Sequence, residues 1–146
     1  MPERYRTALD RVLELTILLG DDMSRELARR GLTQARTHLL WAVGDGGPTT
    51  QRALADVLGV SARNVTGLVD GLEQTGFVTR EPHPTDRRAT LVTLTAHGAE
   101  TVDQLRRDYA ELADLLFGRL SAARFETFAG ALDEIVAALR DVLAKG

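Results

Sequence analysis

Residues 49–95 read TTQRALADVLGVSARNVTGLVDGLEQTGFVTREPHPTDRRATLVTLT, and the fold prediction depends on this stretch. Its first part has apolar residues at helical spacing, and either Thr49 or Thr50 can cap the helix that they predict. Gly59 interrupts the helical period, and Ser61 is a suitable N-cap for a second helix. The stretch therefore predicts two short helices that are joined by a tight turn.

The second helix has two different faces. One face carries an apolar stripe at positions i, i+3, i+4 and i+7, formed by Val65, Leu68, Val69 and Leu72. The other face carries small or hydrogen-bonding side chains, which are Ala62, Arg63, Asn64, Thr66, Gly67 and Asp70. A face without bulky apolar groups can lie deep in the major groove of DNA and contact base edges. This pattern is typical of a helix-turn-helix.

After Gly76 the periodicity changes from helical to alternating. Residues 77–79 predict one strand, and Thr90 to Thr95 predict a second. Between them lies EPHPTDRR, whose two prolines do not suit a helix interior or a central strand, so we expect a projecting loop. The prediction is a winged helix-turn-helix, mostly α with a small β-hairpin wing.

The tip of the predicted wing contains Asp86, Arg87 and Arg88. In an extended segment the side chains of Asp86 and Arg88 point to the same side, so the carboxylate can hold the guanidinium in one orientation. A fixed, planar cation suits a narrow and electronegative minor groove. The alternative is an ordinary solvated ion pair, which contributes little to stability.

The order of these motifs resembles the MarR family of bacterial transcription regulators. The resemblance is carried by the GVS turn, LVDGLEQTGFV, PTDRRATLVTLT and the LTAHG that begins the next helix, and the flanking helices extend it over essentially the whole chain. It implies a homodimer that binds double-stranded DNA, acts as a repressor and is released by a small aromatic or phenolic effector. It also implies that Arg88 enters the minor groove, that Asp86 orients it, and that Arg87 contacts phosphate.

Several side chains of the first stretch have the chemistry to contact DNA. Arg63 and Asn64 can read guanine or adenine edges through paired hydrogen bonds, and Thr66 can contact a thymine methyl group. Ser61 and Arg52 can bind phosphates. If the protein is a two-fold dimer, the two second helices enter successive major grooves about 34–36 Å apart, so the operator is expected to be an imperfect palindrome.

The charge balance is unusual for a DNA-binding protein. The formal net charge is -3, whereas nonspecific affinity for DNA comes from cations that displace counterions. Residues 49–95 carry five basic and five acidic groups, so the negative excess lies outside this stretch. We therefore expect a modest dependence of binding on salt, and an affinity that requires two protomers.

The helices that flank this stretch predict a dimer. Residues from about Pro2 to Arg30 carry an apolar stripe formed by Tyr5, Leu9, Val12, Leu13, Thr16, Leu19, Met23 and Leu27. Two further helices are expected from Ala96 to about Phe117 and after a Ser121 cap. Their combined apolar surface exceeds what one small protomer needs, so we expect a helical dimerisation region, residues 1–32 and 96–146, around a DNA-binding domain, residues 33–95.

The helix between these two parts is expected to run from Gln34 to Val43 after a Thr33 cap, before the glycine-rich turn GDGGP. It carries the sole tryptophan of the sequence, and aromatic side chains commonly line ligand pockets. The candidate pocket residues are Met23, Leu27, His38 and Trp41. The alternative, which we favour, is that Trp41 packs in the core and His38 is partly exposed on the helix.

Other classes of function find no support in the sequence. The sequence has no cysteine, which excludes disulfides and thiolate metal sites, and His97 has no helical histidine partner for a metal, so we expect no metal and no cofactor. We find no set of nucleophile, base and acid, and therefore predict that the chain is not an enzyme. The absence of a long apolar span predicts no membrane partner and a cytoplasmic location. The rival prediction is a winged-helix module that binds another protein and has lost DNA binding.

Overall fold

The computed structural model describes residues 2–146. It is mostly helical with one small antiparallel sheet, as the sequence predicts. The elements in chain order are α1 (Pro2–Arg29), α2 (Gln34–Gly46), β1 (Thr49–Thr50), α3 (Gln51–Leu58), α4 (Ala62–Gln74), β2 (Val78–Pro82), β3 (Thr90–Leu94), α5 (Ala96–Phe117) and α6 (Ala122–Ala144). By compactness the chain divides into two units, one through Val102 and one from Asp103 to Gly146. This division cuts α5, and it differs from the functional division expected from the sequence, which stays a prediction.

The caps predicted from the sequence start the helices where they were expected. The side-chain oxygens of Thr33, Thr50, Ser61 and Ser121 each accept a backbone N–H three residues later. Of the two threonines offered as the cap of α3, Thr50 is the cap, while Thr49 lies in β1. Each cap satisfies an amide at a helix start that has no partner within the helix.

The turn between α3 and α4 has three residues, 59–61. Gly59 adopts a left-handed conformation with φ 65°, which lets the amide N–H of Val60 reach the carbonyl of Ala55 at 3.1 Å. This reversal puts the apolar sides of α3 and α4 into one core. The core side chains include Leu54, Val65, Val69 and Leu72, which are almost completely buried, while Leu68 is only half-buried.

The sheet has three strands in the order β1-β3-β2, all antiparallel. The two residues of β1 pair with Val92 and Leu91 of β3, so the start of α3 is joined directly to the wing. Strand β2 begins at Val78 and not at Phe77, because the amide of Phe77 donates to Leu72 in the cap of α4. It continues through Glu81 to Pro82, which had been expected in the loop. Pro82 is tolerated because it ends an edge strand.

Helix α2 is longer than the sequence predicted. It continues from Val43 through Gly46, and it ends where Gly47 adopts φ 73° in front of Pro48. The residue before a proline is disfavoured in the helical conformation, so Pro48 sets this end more firmly than the glycines do. The turn predicted over GDGGP is therefore confined to its last two residues.

The start of α5 is held against the segment that follows α4, residues 76–77. The hydroxyl of Thr95 donates to the carbonyl of Gly76 at 2.6 Å and accepts the amide of Gly98 at 3.0 Å. The amide of Thr95 donates to the carbonyl of Phe77 at 3.1 Å. That carbonyl lies so close to Gly98 that a β-carbon there would overlap it. The LTAHG motif is therefore a joint between the wing and α5.

The second unit consists of the later part of α5 and α6. Here the rings of Phe125 and Phe128 both lie 5.7 Å from the ring of Phe117. The bounds of α5 agree with the sequence prediction, and α6 follows the Ser121 cap as expected. No residue of α6 is buried.

Candidate nucleic-acid interface

The polar face of α4 is exposed along its length. Ala62, Arg63, Asn64, Thr66, Gly67 and Asp70 are all exposed, whereas the opposite side of the helix is in the core. Arg63 and Asn64 lie in the first turn of α4, directly after its cap. In helix-turn-helix proteins the N-terminal part of this helix contacts the base edges, so we call α4 the recognition helix.

The residues predicted to bind phosphate are also exposed. Arg52 is the second residue of α3, and its side chain makes no hydrogen bond or ion pair within residues 2–146. The oxygen of Ser61 accepts the amide of Asn64 at 3.1 Å, which leaves the hydroxyl proton available for a phosphate. The predicted contacts of these residues with DNA stay predictions.

Thr66 is less free than the sequence suggested. Its hydroxyl donates to the carbonyl of Ala62 at 3.0 Å and accepts from the amide group of Gln51 at 3.3 Å. These bonds fix the χ1 rotamer of Thr66 and leave the methyl group as its available contact. That geometry is compatible with the predicted contact to a thymine methyl group.

Arg80 of β2 forms the densest polar cluster in this part of the chain, which we call the Arg80 clamp. Its guanidinium donates to Gln51 at 2.9 Å, to Asp70 at 2.5 Å, to Glu73 at 3.0 Å and to the carbonyl of Thr66 at 3.3 Å. The backbone amide of Arg80 donates to the second oxygen of Glu73 at 3.1 Å. A guanidinium has five N–H donors in a fixed plane, so one side chain can join α3, the recognition helix and the wing.

Arg80 is one of the five basic residues in residues 49–95, and this clamp was not predicted from the sequence. A signal was present, because side chains alternate along a strand and Arg80 is on the same face of β2 as the buried Val78. That face is turned toward the core, and Asp70 and Glu73 lie three residues apart on the recognition helix, where neighbouring side chains share a face. The arginine thus has two carboxylates as partners and is 23% exposed.

The wing loop, residues 83–89, connects β2 to β3. Asp86 holds the backbone and not the guanidinium of Arg88: its Oδ1 accepts the amide N–H of Arg88 at 3.0 Å. The predicted pair between the carboxylate of Asp86 and the guanidinium of Arg88 is therefore wrong. The prediction assumed an extended segment, but residues 86–89 form a tight turn, in which the amide of Ala89 donates to the carbonyl of Asp86 at 3.1 Å. Asp86 still orders the segment that carries Arg88. The side chains of Arg87 and Arg88 are exposed, and within residues 2–146 they form no ion pair.

His83 is a second residue that the sequence reasoning did not single out. Its Nδ1 lies 3.2 Å from the amide nitrogen of Thr85 and 3.0 Å from that of Asp86. Its own amide donates to the carbonyl of Ala89 at 3.2 Å, across the mouth of the loop. A histidine between two prolines gives no strong signal of such a role.

The candidate pocket residues differ in their surroundings. Leu27 is buried and Trp41 is half-buried, while His38 and Met23 are exposed. A shallow hollow of about 440 Å³ lies elsewhere, between α5 and α6, where Phe117 and Phe125 are among its walls. The four candidates therefore stay a prediction.

Among residues 2–146, no group of three or more histidine, cysteine, aspartate or glutamate side chains could hold a metal ion. Over the same residues, no helix has the length and apolar character needed to cross a membrane.

Comparison with known proteins agrees with this geometry. The model of the MarR family matches residues 32–90. The repressor NicR of Pseudomonas putida is 32% identical over 91 residues, which cover 62% of this chain and 58% of NicR. The regulator MhqR of Bacillus subtilis is 26% identical over 108 residues, which cover 74% of each chain.

A solved structure shares the fold over almost the whole chain. Streptococcus pneumoniae FabT, solved in complex with DNA, superposes with a TM-score of 0.78 and covers 97% of this chain and 99% of its own, at 18% sequence identity. NicR is named as a transcriptional repressor and MhqR as a transcriptional regulator, and this chain spans about 58% of the length of NicR. Together with the helix-turn-helix and its wing, these matches show that residues 32–90 form a domain of the MarR family.

Proposed function

We propose that this protein binds double-stranded DNA as a homodimer in the cytoplasm and represses transcription from an operator that is an imperfect palindrome. One observation carries the proposal: the exposed face of the recognition helix, with Arg63 and Asn64, belongs to the same compact unit as the wing arginines. NicR, which is named as a repressor, and FabT, which was solved with DNA, support it.

The chemistry of each side chain indicates which part of the DNA it contacts. Arg63 and Asn64 read base edges in the major groove, because their paired donors and acceptors match guanine and adenine. Arg52 and the hydroxyl of Ser61 bind phosphates and fix the position of the recognition helix. In the wing, Arg88 enters the minor groove and Arg87 contacts the backbone.

The Arg80 clamp makes the number of available cations small. Because Arg80 is neutralised by Asp70 and Glu73, four arginines remain in residues 49–95 for DNA, which are Arg52, Arg63, Arg87 and Arg88. Each phosphate contact adds about −0.9 to the slope of log affinity against log salt. We therefore expect a modest slope, and an affinity that requires both protomers.

The dimer is supported by apolar surface on two separate helices. On α1, Leu9, Val12, Leu13, Ile17 and Leu18 are between 48% and 62% exposed. On α6, Ile135, Leu139, Val142 and Leu143 are between 57% and 69% exposed. Large exposed apolar patches commonly mark protein–protein contacts, and a second copy of the chain is the partner that a palindromic operator requires.

A small aromatic or phenolic effector would release the DNA only if it binds one spacing of the recognition helices more tightly than the other. We propose that its pocket is lined by Met23, Leu27, His38 and Trp41. Of these, Leu27 is buried and Trp41 is half-buried, as is common for residues that line a pocket. A compound that shifts operator affinity should lose this effect in a Trp41→Ala/His38→Ala double variant. If the compound shifts the operator affinity of that variant as much as that of the unsubstituted chain, the pocket lies elsewhere.

The alternative is a winged-helix module that binds a protein and no DNA, which the zero net charge of residues 49–95 favours. Titration of labelled random-sequence duplex into the purified protein, at several salt concentrations, separates the two. The DNA-binding proposal predicts weak binding, with the logarithm of the association constant falling linearly with the logarithm of the salt concentration. Binding that is absent at low salt, or that does not change with salt, would favour the protein-interaction module.

A further inference from the structure

His83 supplies the wing loop with an acceptor that the backbone does not provide. Its Nδ1 faces the amide nitrogens of Thr85 and Asp86, and the hydroxyl oxygen of Thr85 is 3.4 Å from the same atom. A backbone N–H can only donate, so Nδ1 acts as the acceptor and carries no proton. The donors around Nδ1 thus assign the ring proton to Nε2.

The loop has few other constraints, since most of residues 83–89 are exposed. The bonds that Asp86 and Ala89 make close its second half, as described above. Its first half depends on His83, because within residues 2–146 the amides of Thr85 and Asp86 have no acceptor other than Nδ1. Both amides directly precede the segment that carries Arg87 and Arg88.

We propose that His83 is a positioning residue, which orders the wing loop before DNA is bound and so sets the approach of Arg88 to the minor groove and of Arg87 to the phosphate backbone. This inference rests on the proposed function of the wing. His83 acts through the backbone of the loop and not through a contact with DNA. The benefit is entropic, because a loop that is already ordered loses less conformational freedom on binding.

Two substitutions at this position separate acceptor chemistry from the mere presence of a side chain. His83→Asn keeps an acceptor, because the Oδ1 of asparagine is as many bonds from the backbone as the Nδ1 of histidine and commonly accepts such amides. His83→Ala removes the acceptor. His97→Ala removes an imidazole outside the wing loop, but its ring lies 4.7 Å from the ring of Phe77, so its unfolding is measured beside its affinity to separate a loss of stability from an effect on the wing.

The first measurement is the affinity of the full chain for an operator selected from random DNA, followed by fluorescence anisotropy. We expect His83→Ala to weaken binding roughly 3- to 10-fold, and His83→Asn and His97→Ala to stay within about twofold of the unsubstituted chain. In an Arg87→Ala/Arg88→Ala background, His83→Ala should have no further effect, because the side chains that it positions are gone. Unchanged affinity in His83→Ala, or equal losses in the Ala and Asn variants, would overturn the proposal.

The second measurement needs no DNA. Hydrogen exchange of the Thr85 and Asp86 amides should be slowed in the unsubstituted chain and in His83→Asn, and faster in His83→Ala, and the ¹⁵N shifts of the ring should show an unprotonated Nδ1. Equal exchange in the Ala variant would contradict the role of His83. If the chain selects no operator but the amides behave as expected, the proposed function fails while the role of His83 in ordering the loop stands.

Discussion

The guanidinium of Arg80 donates to the carboxylate of Asp70 at 2.5 Å, and this bond joins the wing to the exposed face of the recognition helix. Asp70, the acidic residue on that face, is thereby paired with Arg80 of the same chain. A carboxylate facing DNA would repel phosphates, and the guanidinium of Arg80 offsets part of this repulsion, although one guanidinium against the two carboxylates of Asp70 and Glu73 leaves the cluster with a net charge of -1.

The Arg80 clamp should matter for stability and for DNA binding. We expect Arg80→Ala to lower the free energy of unfolding by about 1–3 kcal/mol, because it removes four hydrogen bonds made by a side chain that is only 23% exposed, and to weaken operator binding by loosening the wing. Arg80→Lys should not restore either property, because the single ammonium group of lysine cannot donate to all the partners that the planar guanidinium reaches. Chemical denaturation and anisotropy titration measure the two effects. Arg63→Ala is the control, since it should weaken binding at unchanged stability; the same pattern in Arg80→Ala would make Arg80 a DNA contact instead.

The joint at Gly98 should tolerate no side chain. A β-carbon there overlaps the carbonyl of Phe77, which must stay in place to accept the amide of Thr95. We expect Gly98→Ala to cost roughly 1–3 kcal/mol of stability and to lower Tm by about 3–9 °C. Gly67→Ala is the control, because a β-carbon at that helical position meets nothing within 4 Å and alanine favours a helix. Equal Tm values for the two variants would show that the backbone at Gly98 can shift without loss.

The two kinds of arginine contact should be separable by specificity. Arg63→Ala should cost about 1–3 kcal/mol and relax the preference at one operator position, whereas Arg88→Ala should lower affinity without changing the preferred major-groove sequence. Mobility-shift titrations on the operator and on its single-base variants measure both effects. Arg124→Ala, which removes a positive charge from α6, controls for net charge. If Arg63→Ala and Arg88→Ala both bind like the unsubstituted chain, the assignment of these residues to the interface is wrong.

The apolar face of α6 should hold the dimer together. Leu139 is 57% exposed, and a glutamate there should weaken association by roughly tenfold or more if a second copy covers it. Val57→Glu is a matched control, since Val57 is 73% exposed on α3, outside the predicted dimerisation region. Sedimentation equilibrium of both variants, with circular dichroism to check helix content, measures the effect. A chain that is monomeric without substitution, or a Leu139→Glu variant that associates as tightly, would contradict the homodimer.

Features with a local cause could be predicted from the sequence. The caps at Thr33, Ser61 and Ser121 and the reversal at Gly59 each follow from residues within about one helical turn, and the apolar stripe of α4 follows from residues within about two turns. The polar face of the recognition helix followed from the same periodicity. For this reason the two helices and the turn between them were predicted, while the choice of Thr50 as the cap of α3 and the end of α4 at Gln74 came from the structure.

Features that depend on a distant partner could not be predicted in the same way. The clamp joins Gln51 to Arg80 across 29 residues, and neither shows its partner in the local pattern. Asp86 was expected to bind a guanidinium because the loop was taken as extended, whereas the turn gives its carboxylate a nearer amide donor. The length of β2 was underestimated because Pro82 signals a break, although an edge strand accepts it at its end.

The most direct test of the central claim is selection of bound sequences from a pool of random duplex DNA by the purified full-length chain. We predict an imperfect palindrome whose half-sites are about 10–10.5 base pairs apart, centre to centre, with two protomers bound. The Arg63→Ala variant should enrich a related palindrome with one relaxed position in each half-site. No enriched sequence, or a single site without two-fold symmetry, would contradict the account of this chain as a dimeric operator-binding regulator.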